Sequence, residues 1–432
     1  MLKTETKKRH PATWVPTTWF AMGLPFVALA TATSIMYKNM GVSNASIAFW
    51  TSLIMLPWTL KPLWGPFLEM FKTKKFFVFT TQIFTGVLFG LVALSLQATN
   101  FFAISIAILC IIAFSGATHD MAADGVYLNE LTPKLQAKYV GWQGAFYNIA
   151  KVMSGGVLVY FAGEMEKSMG VANAWAAVMF IYAGIMILLG LYSIKMLPTG
   201  GQSNKPASAK EGFATLKDVF ITFFQKKNIW FALCFIVLYR FAEGQAIKIT
   251  PLFFKAPRTE GGLGLTTSQI GVLYGVFGAI AFVLGSIAAG YYASKRGLNR
   301  KTLMVLCAFF NVPFAAYAFL AVTQPQNLYV IGGAVAIEYF GYGFGFVGLI
   351  LFIMQQIAPG KYKMAHYAFG GGLMNLGFMI PSMISGWLSE VLGYKEFFVW
   401  VLIATIPAFI ITWIVPLNKV PDETKEVEMV GP

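Results

Sequence analysis

Twelve long apolar stretches follow one another along this chain, separated by short polar seams: 14–37, 44–70, 76–97, 101–129, 138–163, 171–194, 229–254, 266–293, 302–323, 328–357, 364–389 and 397–416. Each is close to or above the roughly 20 residues that an α-helix needs to cross the hydrocarbon core of a bilayer. Lipid offers no partner for backbone N–H and C=O groups, so only helices and closed barrels can span it. The stretches are continuously apolar rather than alternating, which selects helices. Charged residues make up 12% of the chain and hydrophobic ones 57%, against about a quarter charged in soluble domains. An ordinary soluble enzyme, a disordered chain and a nucleic-acid module are thereby excluded.

One seam is different. Residues 198–210 are rich in Gly, Ser, Pro and Lys, as a linker is. Beyond it Phe213, Leu216, Phe220 and Phe223 recur at helical spacing, with Lys217, Asp218, Lys226 and Lys227 on other faces. That pattern predicts an amphipathic helix lying on the membrane surface. Six spans fall on either side of it. The expected fold is an all-α membrane protein of twelve transmembrane helices in two pseudo-symmetric six-helix bundles, residues 1–197 and 229–432, joined by a connector at 198–228.

The net charge of +14 would suggest a polyanion partner on a soluble protein. Here it reports orientation. With the N-terminus inside, 23 Lys and Arg residues fall on the cytoplasmic side, five on the opposite face and four within spans. Both termini are expected in the cytoplasm. The basic start (Lys3, Lys7, Lys8, Arg9) runs into a long span without a small-residue cleavage site, so no removable signal peptide is expected.

Eight ionisable residues fall well inside the spans: Lys61, Asp120, Asp124, Lys151, Arg240, Glu243, Lys248 and Glu338. Each costs about 2.5–3.5 kcal/mol if it faces lipid. Four cations and four anions are the balance expected of groups that pair inside a bundle or line a wet cavity. Lys61, Asp120 and Lys151 lie near mid-bilayer at about 1.5 Å per residue. Asp120 and Asp124, four apart, share a helix face, as do Arg240 and Glu243, three apart. Glu338 reads as a lone buried acid, and Lys248 lies near enough to the outer end to snorkel. Static structural ion pairs are the alternative for Lys61 with Asp120 or Asp124.

Trp64 and Trp142 lie beside the charged positions, where an indole can stack on a sugar ring; packing is the competing role. His119 adjoins Asp120. Glycines 341, 343, 345, 348 and 370–372 sit in spans, where small residues let helices approach closely. The cysteines Cys110, Cys234 and Cys307 all lie in apolar stretches, and no metal, hydrolytic or nucleotide motif is present. No cofactor is expected, and a gradient must supply the energy.

The connection Gly65-Pro-Phe-Leu-Glu69-Met-Phe-Lys72-Thr-Lys74-Lys75 resembles the gating loop of the major facilitator superfamily, with Glu69 in place of the usual Asp and the Arg-x-Gly portion lost. The matching loop of the second half, 290–301, keeps Gly297, Arg300 and Lys301 but has Ser294 at the acidic position. A nearer resemblance is to the AmpG-type muropeptide permeases and related acetyl-CoA transporters. It is carried by Gly23-Leu24-Pro25, by Lys61-Pro-Leu-Trp64-Gly-Pro66 and by the stretch from Ala113 through His119, Asp120 and Asp124 to Pro133. Ser154-Gly155-Gly156, Tyr239-Arg240 with Glu243, and Glu338 also match in order. The chain departs at His119 and His366, where glutamine is commoner, and at Asn148, where arginine is usual.

The resemblance implies proton-driven uptake of peptidoglycan-derived saccharides, GlcNAc-anhydro-muramic acid with or without peptide, across the inner membrane by a monomer. The partners expected are that sugar, H+ and the lipid bilayer, with no nucleic acid. Substrate contacts are expected from Lys61, Trp64, Asp124, Trp142, Lys151, Arg240 and Glu243, proton coupling from Asp120, Asp124, Glu243 and Glu338, and gating from Gly65 and Glu69. Uptake of other di- or oligosaccharides and a polytopic membrane transferase are the alternatives.

Overall fold

The computed structural model describes residues 9–64, 73–131, 133–200, 209–359 and 362–417. Among these no strand occurs, and ten helices are long and apolar enough to cross a membrane. In chain order they are α1 (Pro11–Asn39), α2 (Lys74–Ser95), α3 (Phe101–Glu130), α4 (Trp142–Met169), α5 (Val171–Met196), α6 (Ile229–Lys255), α7 (Thr267–Ala293), α8 (Arg300–Thr323), α9 (Leu328–Ile357) and α10 (His366–Ile414).

Two places account for the difference from twelve apolar stretches. Between α1 and α2 the stretch 44–70 forms two short helices, Asn44–Leu53 and Leu56–Leu60, and a 3-10 turn at Lys61–Leu63. Its remainder, with Gly65 and Glu69, lies outside the described residues. At the other end α10 covers 49 residues, too many for one crossing at about 1.5 Å each. Gly393 breaks it with φ 75° and ψ 161°, a conformation that glycine adopts without steric cost.

Local chemistry fixes the helix starts. Thr73, Ser43 and Asn299 each accept the N–H three residues on, and Thr266 with Gln269 forms a capping box at the start of α7. Glycines bring the helices together. A methyl group on Gly86 of α2 would lie 2.8 Å from the Ala183 carbonyl of α5, and Gly190 returns the contact at Phe79 and Ile83. On the other side of the connector, Gly343 of α9 abuts the Phe282 carbonyl of α7, and Gly285 of α7 abuts the Phe340 carbonyl of α9. The glycines of 341–348 therefore act as close-approach points.

The helices before and after the connector meet along α4 and α7, each interrupted by a π-helical turn, Met153–Val157 and Leu273–Gly278. A methyl on Gly156 would lie 2.6 Å from the Gly275 Cα, and one on Gly271 would lie 2.6 Å from the Tyr160 nitrogen. One turn further, Gly163 abuts the Ser268 nitrogen. In the other direction, Ile149, Ala145 and Trp142 continue the Gly156 face at helical spacing and are exposed. The two sets of helices thus touch at the end carrying Met169 and part toward the end carrying Trp142.

The expected amphipathic helix is present as Ala209–Phe224; the side chains of Phe213 and Leu216 lie outside the described residues. Phe223 is fully buried against Phe369 and His366, the Thr222 hydroxyl lies 3.3 Å from His366 Nε2, and the Tyr362 hydroxyl donates to Asp218. This end of the helix is docked on the start of α10 rather than simply laid on the membrane.

Candidate functional site

Near the middle of α3, Asp120 is built into a polar set. Its Oδ2 accepts the Trp58 indole N–H at 2.8 Å and lies 3.9 Å from Lys61 Nζ. Trp58 can reach it because residue 116, one turn earlier on the same face, is glycine; a methyl there would lie 2.8 Å from the indole ring. The neighbouring His119 sets its Nδ1 4.0 Å from Asp120 Oδ1 and its Nε2 3.1 Å from Gln82 Nε2 on α2. Asp124, one turn beyond Asp120, is exposed, and Lys61 is the nearby cation acting on it. A carboxylate on a membrane-crossing helix belongs in the bundle interior or a water-filled cavity rather than on a lipid face.

In the C-terminal helices α6 breaks at Arg240, whose φ of −99° and ψ of 1° end one α-helical segment and begin the next. The break turns the guanidinium onto Glu243, with Nε–Oε2 at 2.5 Å and Nη2–Oε1 at 2.6 Å, while Nη1 donates to the Met374 carbonyl. Phe378 and Phe346 face it at 4.7 and 5.4 Å. Such a bidentate pair is strong and geometrically specific.

Aromatic rings connect the two charged sets. Phe26 of α1 touches Trp58 and Tyr147, Phe282 of α7 touches Tyr342, and Tyr342 touches Phe346 beneath Arg240. Lys151 joins the two runs, its Nζ 5.5 Å from the Tyr147 ring and 5.3 Å from the Phe282 ring. Lys61, Asp120, Asp124, Lys151, Arg240 and Glu243 therefore lie along one aromatic-walled path across the molecule.

Two expected residues stand apart from that path, and a third, Glu338, lies beside it within reach of the Glu243 charge. Trp64 donates to the Thr118 hydroxyl at 3.2 Å and packs on Phe114, a face of α3 nearly opposite Asp120. Trp142 is 43% exposed and stacks on Phe146. Glu338 is buried, accepts the Tyr317 hydroxyl at 2.8 Å, and has its other oxygen unpartnered among the described residues. Lys248 is 5% exposed and does not snorkel, because α6 holds it among packed helices. Nothing in the spacing of residues singles out Trp58, Tyr147, Phe282 or Tyr342. Gly116, a turn before Asp120, was the one available sign of a bulky neighbour.

The closed end is tied by hydrogen bonds between the two sets of helices. Asn39 of α1 donates to Glu166 and to Thr267, Thr267 donates to Glu166 at 2.8 Å, and Ser268 donates to Glu164 at 2.7 Å. Trp175 also donates to Glu166. Beside this cluster Asn44 donates to the Tyr394 hydroxyl and the Ala45 N–H to Glu390, and Gly386 abuts the Asn44 carbonyl. A polar pocket of about 510 Å³ bounded by Lys38, Glu260 and Glu390 lies on this end. Among the described residues no cluster of His, Cys, Asp and Glu could hold a metal ion.

Residues 17–370 match the family model of the Major Facilitator Superfamily. The chain is 24% identical to an anhydromuropeptide permease of Escherichia coli, over 91% of this chain and 77% of that one. It is also 24% identical to an uncharacterized protein of Haemophilus influenzae, over 95% of this chain and 96% of the other. In three dimensions it is similar to a D-xylose-proton symporter, with a TM-score of 0.72 at 12% identity, covering 94% of this chain and 97% of the symporter.

Proposed function

This chain belongs to the major facilitator superfamily, a multi-pass membrane transporter and not an enzyme, and from that premise we propose that it takes up peptidoglycan-derived saccharides by proton-coupled alternating access. The polytopic transferase alternative falls with membership of a transporter superfamily. The substrate class is supported by the similarity to an anhydromuropeptide permease.

The observation that carries the mechanism is the aromatic-walled path with a charge pair at either side, the half-buried Lys61–Asp120 from the N-terminal helices and the buried Arg240–Glu243 from the C-terminal ones. Aromatic faces suit the apolar faces of pyranose rings, and the charged groups suit their hydroxyls and carboxylate. Breaking one partner out of a buried pair costs about 3–5 kcal/mol. A proton arriving on Asp120 or Glu243 therefore changes which arrangement of the helices is favoured. Asp124, one turn from Asp120 on the same helix face, is placed to pass protons to it. Glu338, with Tyr317 as its donor, is the fourth coupling acid.

The architecture proposed is twelve spans in two six-helix bundles, 1–197 and 229–432, connected by 198–228, acting as a monomer in the inner membrane with both termini cytoplasmic. On that orientation the tied end faces outward, and the state described opens toward the cytoplasm. Rocking of the bundles about the path exposes it alternately to either side. The test is counterflow in proteoliposomes: vesicles preloaded with unlabelled GlcNAc-anhydro-muramic acid should draw in labelled sugar transiently. No exchange with this sugar, alongside exchange with chitobiose or a simple disaccharide, would move the assignment to another saccharide.

A further inference from the structure

We propose that Lys151 anchors a single carboxylate of the transported saccharide and makes the carrier prefer a sugar acid to its neutral analogue. This rests on the saccharide-carrier reading above and specifies the chemistry of its ligand. Of the four cations within spans, Lys61 stands 3.9 Å from Asp120 and Arg240 is engaged by both oxygens of Glu243 and by the Met374 carbonyl. Lys248 is packed away at 5% exposure. Lys151 alone is half-buried on the path without a carboxylate or hydrogen-bond acceptor among the described residues; its neighbours are the faces of Tyr147 and Phe282. Ring faces attract an ammonium but compensate a charge less fully than an anion does.

The position also fits a role in closure. Tyr147 lies one turn back on α4, whereas Phe282 comes from α7 across the junction. Lys151 stands just before the π-turn of α4, where Gly156 meets Gly275. An anion seated there touches both sets of helices. One ammonium with no second unpaired cation matches a monoanionic carboxylate better than a phosphate dianion, since the charge of Arg240 is already matched by Glu243. The ring faces then take the sugar carrying the carboxylate.

Binding of GlcNAc-anhydro-muramic acid, its methylamide and a sugar phosphate to the purified full-length protein, measured by calorimetric titration, tests this. Wild type should bind the acid about tenfold to a hundredfold more tightly than the amide, the range of one charge-assisted hydrogen bond, and more tightly than the phosphate. Lys151→Gln should bring acid and amide together at the amide's affinity, and Lys151→Arg should restore part of the gap. Removing an unpaired charge should leave the melting temperature of Lys151→Gln equal to or above wild type. Three outcomes overturn the proposal: equal binding of acid and amide by wild type, an undiminished preference in Lys151→Gln, or tighter binding of the phosphate. If wild type binds none of the saccharides, the carrier reading fails as well, which separates the two failures.

Discussion

Replacing Glu166 by alanine should loosen the tied end of the molecule by a calculable amount. Glu166 accepts three hydrogen bonds, from Asn39, Trp175 and Thr267. Asn39 and Trp175 belong to the N-terminal helices with Glu166 itself, so their loss is felt equally whether this end is closed or open and cancels from the equilibrium. The Thr267 bond crosses to α7 and exists only when closed. A hydrogen bond to a charged group contributes about 1.5–3 kcal/mol; this cluster is only partly buried, so the low end, about 1.5 kcal/mol, applies. That is about tenfold in the open-to-closed ratio, so an open fraction of about 5% would rise to about a third. Gly163→Val should act in the same direction by a separate route, since its side chain would meet the Ser268 nitrogen and hydroxyl. The assay is the distance distribution between spin labels at Ser168→Cys and Thr259→Cys, exposed positions on either side of the junction. Cys110, Cys234 and Cys307 are replaced in this background. A longer-distance population should grow in both variants. Distributions unchanged in both would refute the idea that these contacts hold the end shut.

Glu243→Ala should lower the thermal stability of the detergent-solubilised protein by about 3–5 kcal/mol, because it strands the Arg240 guanidinium; the apolar pair Arg240→Met with Glu243→Leu should melt near wild type and still fail to transport. Glu338→Gln can keep the Tyr317 bond, so counterflow should persist while pH-driven accumulation in vesicles is lost; intact pH-driven uptake would remove Glu338 from the coupling scheme. Gly116→Val should push the Trp58 indole off Asp120, costing about 1–3 kcal/mol by overpacking and reducing uptake. Gly144→Ala, with nothing within 4 Å of the added carbon, should match wild type in both measurements.

The spans were legible because lipid imposes one rule on every residue of a crossing helix, and the apolar stretches end where caps such as Thr73, Asn299 and the Thr266/Gln269 box begin the next helix. The intramembrane charges were legible for the same reason, since a charge that lipid penalises must pair or face a wet cavity. What faces those charges was not. Trp58, Tyr147 and Phe282 are three among many aromatics in a chain where 16% of residues are Phe, Trp or Tyr; only the packing of Trp58 on α3 and the crossing of α4 and α7 single them out. Trp64 and Trp142 were closer in sequence to the charges but lie on other faces. The tie at Asn39, Glu164, Glu166, Thr267 and Ser268 was invisible because polar residues at span ends resemble ordinary interface residues until distant segments are brought together. The π-turns at Met153–Val157 and Leu273–Gly278 leave no mark in hydropathy at all.

Proton movement should drive the saccharide through the path between Lys61–Asp120 and Arg240–Glu243. Its most direct test is accumulation of labelled GlcNAc-anhydro-muramic acid by proteoliposomes holding the purified protein, with an inward proton gradient imposed and then collapsed by a protonophore. Uptake should rise above the external concentration and fall to equilibration on collapse, with no accumulation by Asp120→Asn at equal protein content. Accumulation that survives the protonophore, or is undiminished in Asp120→Asn, would contradict it.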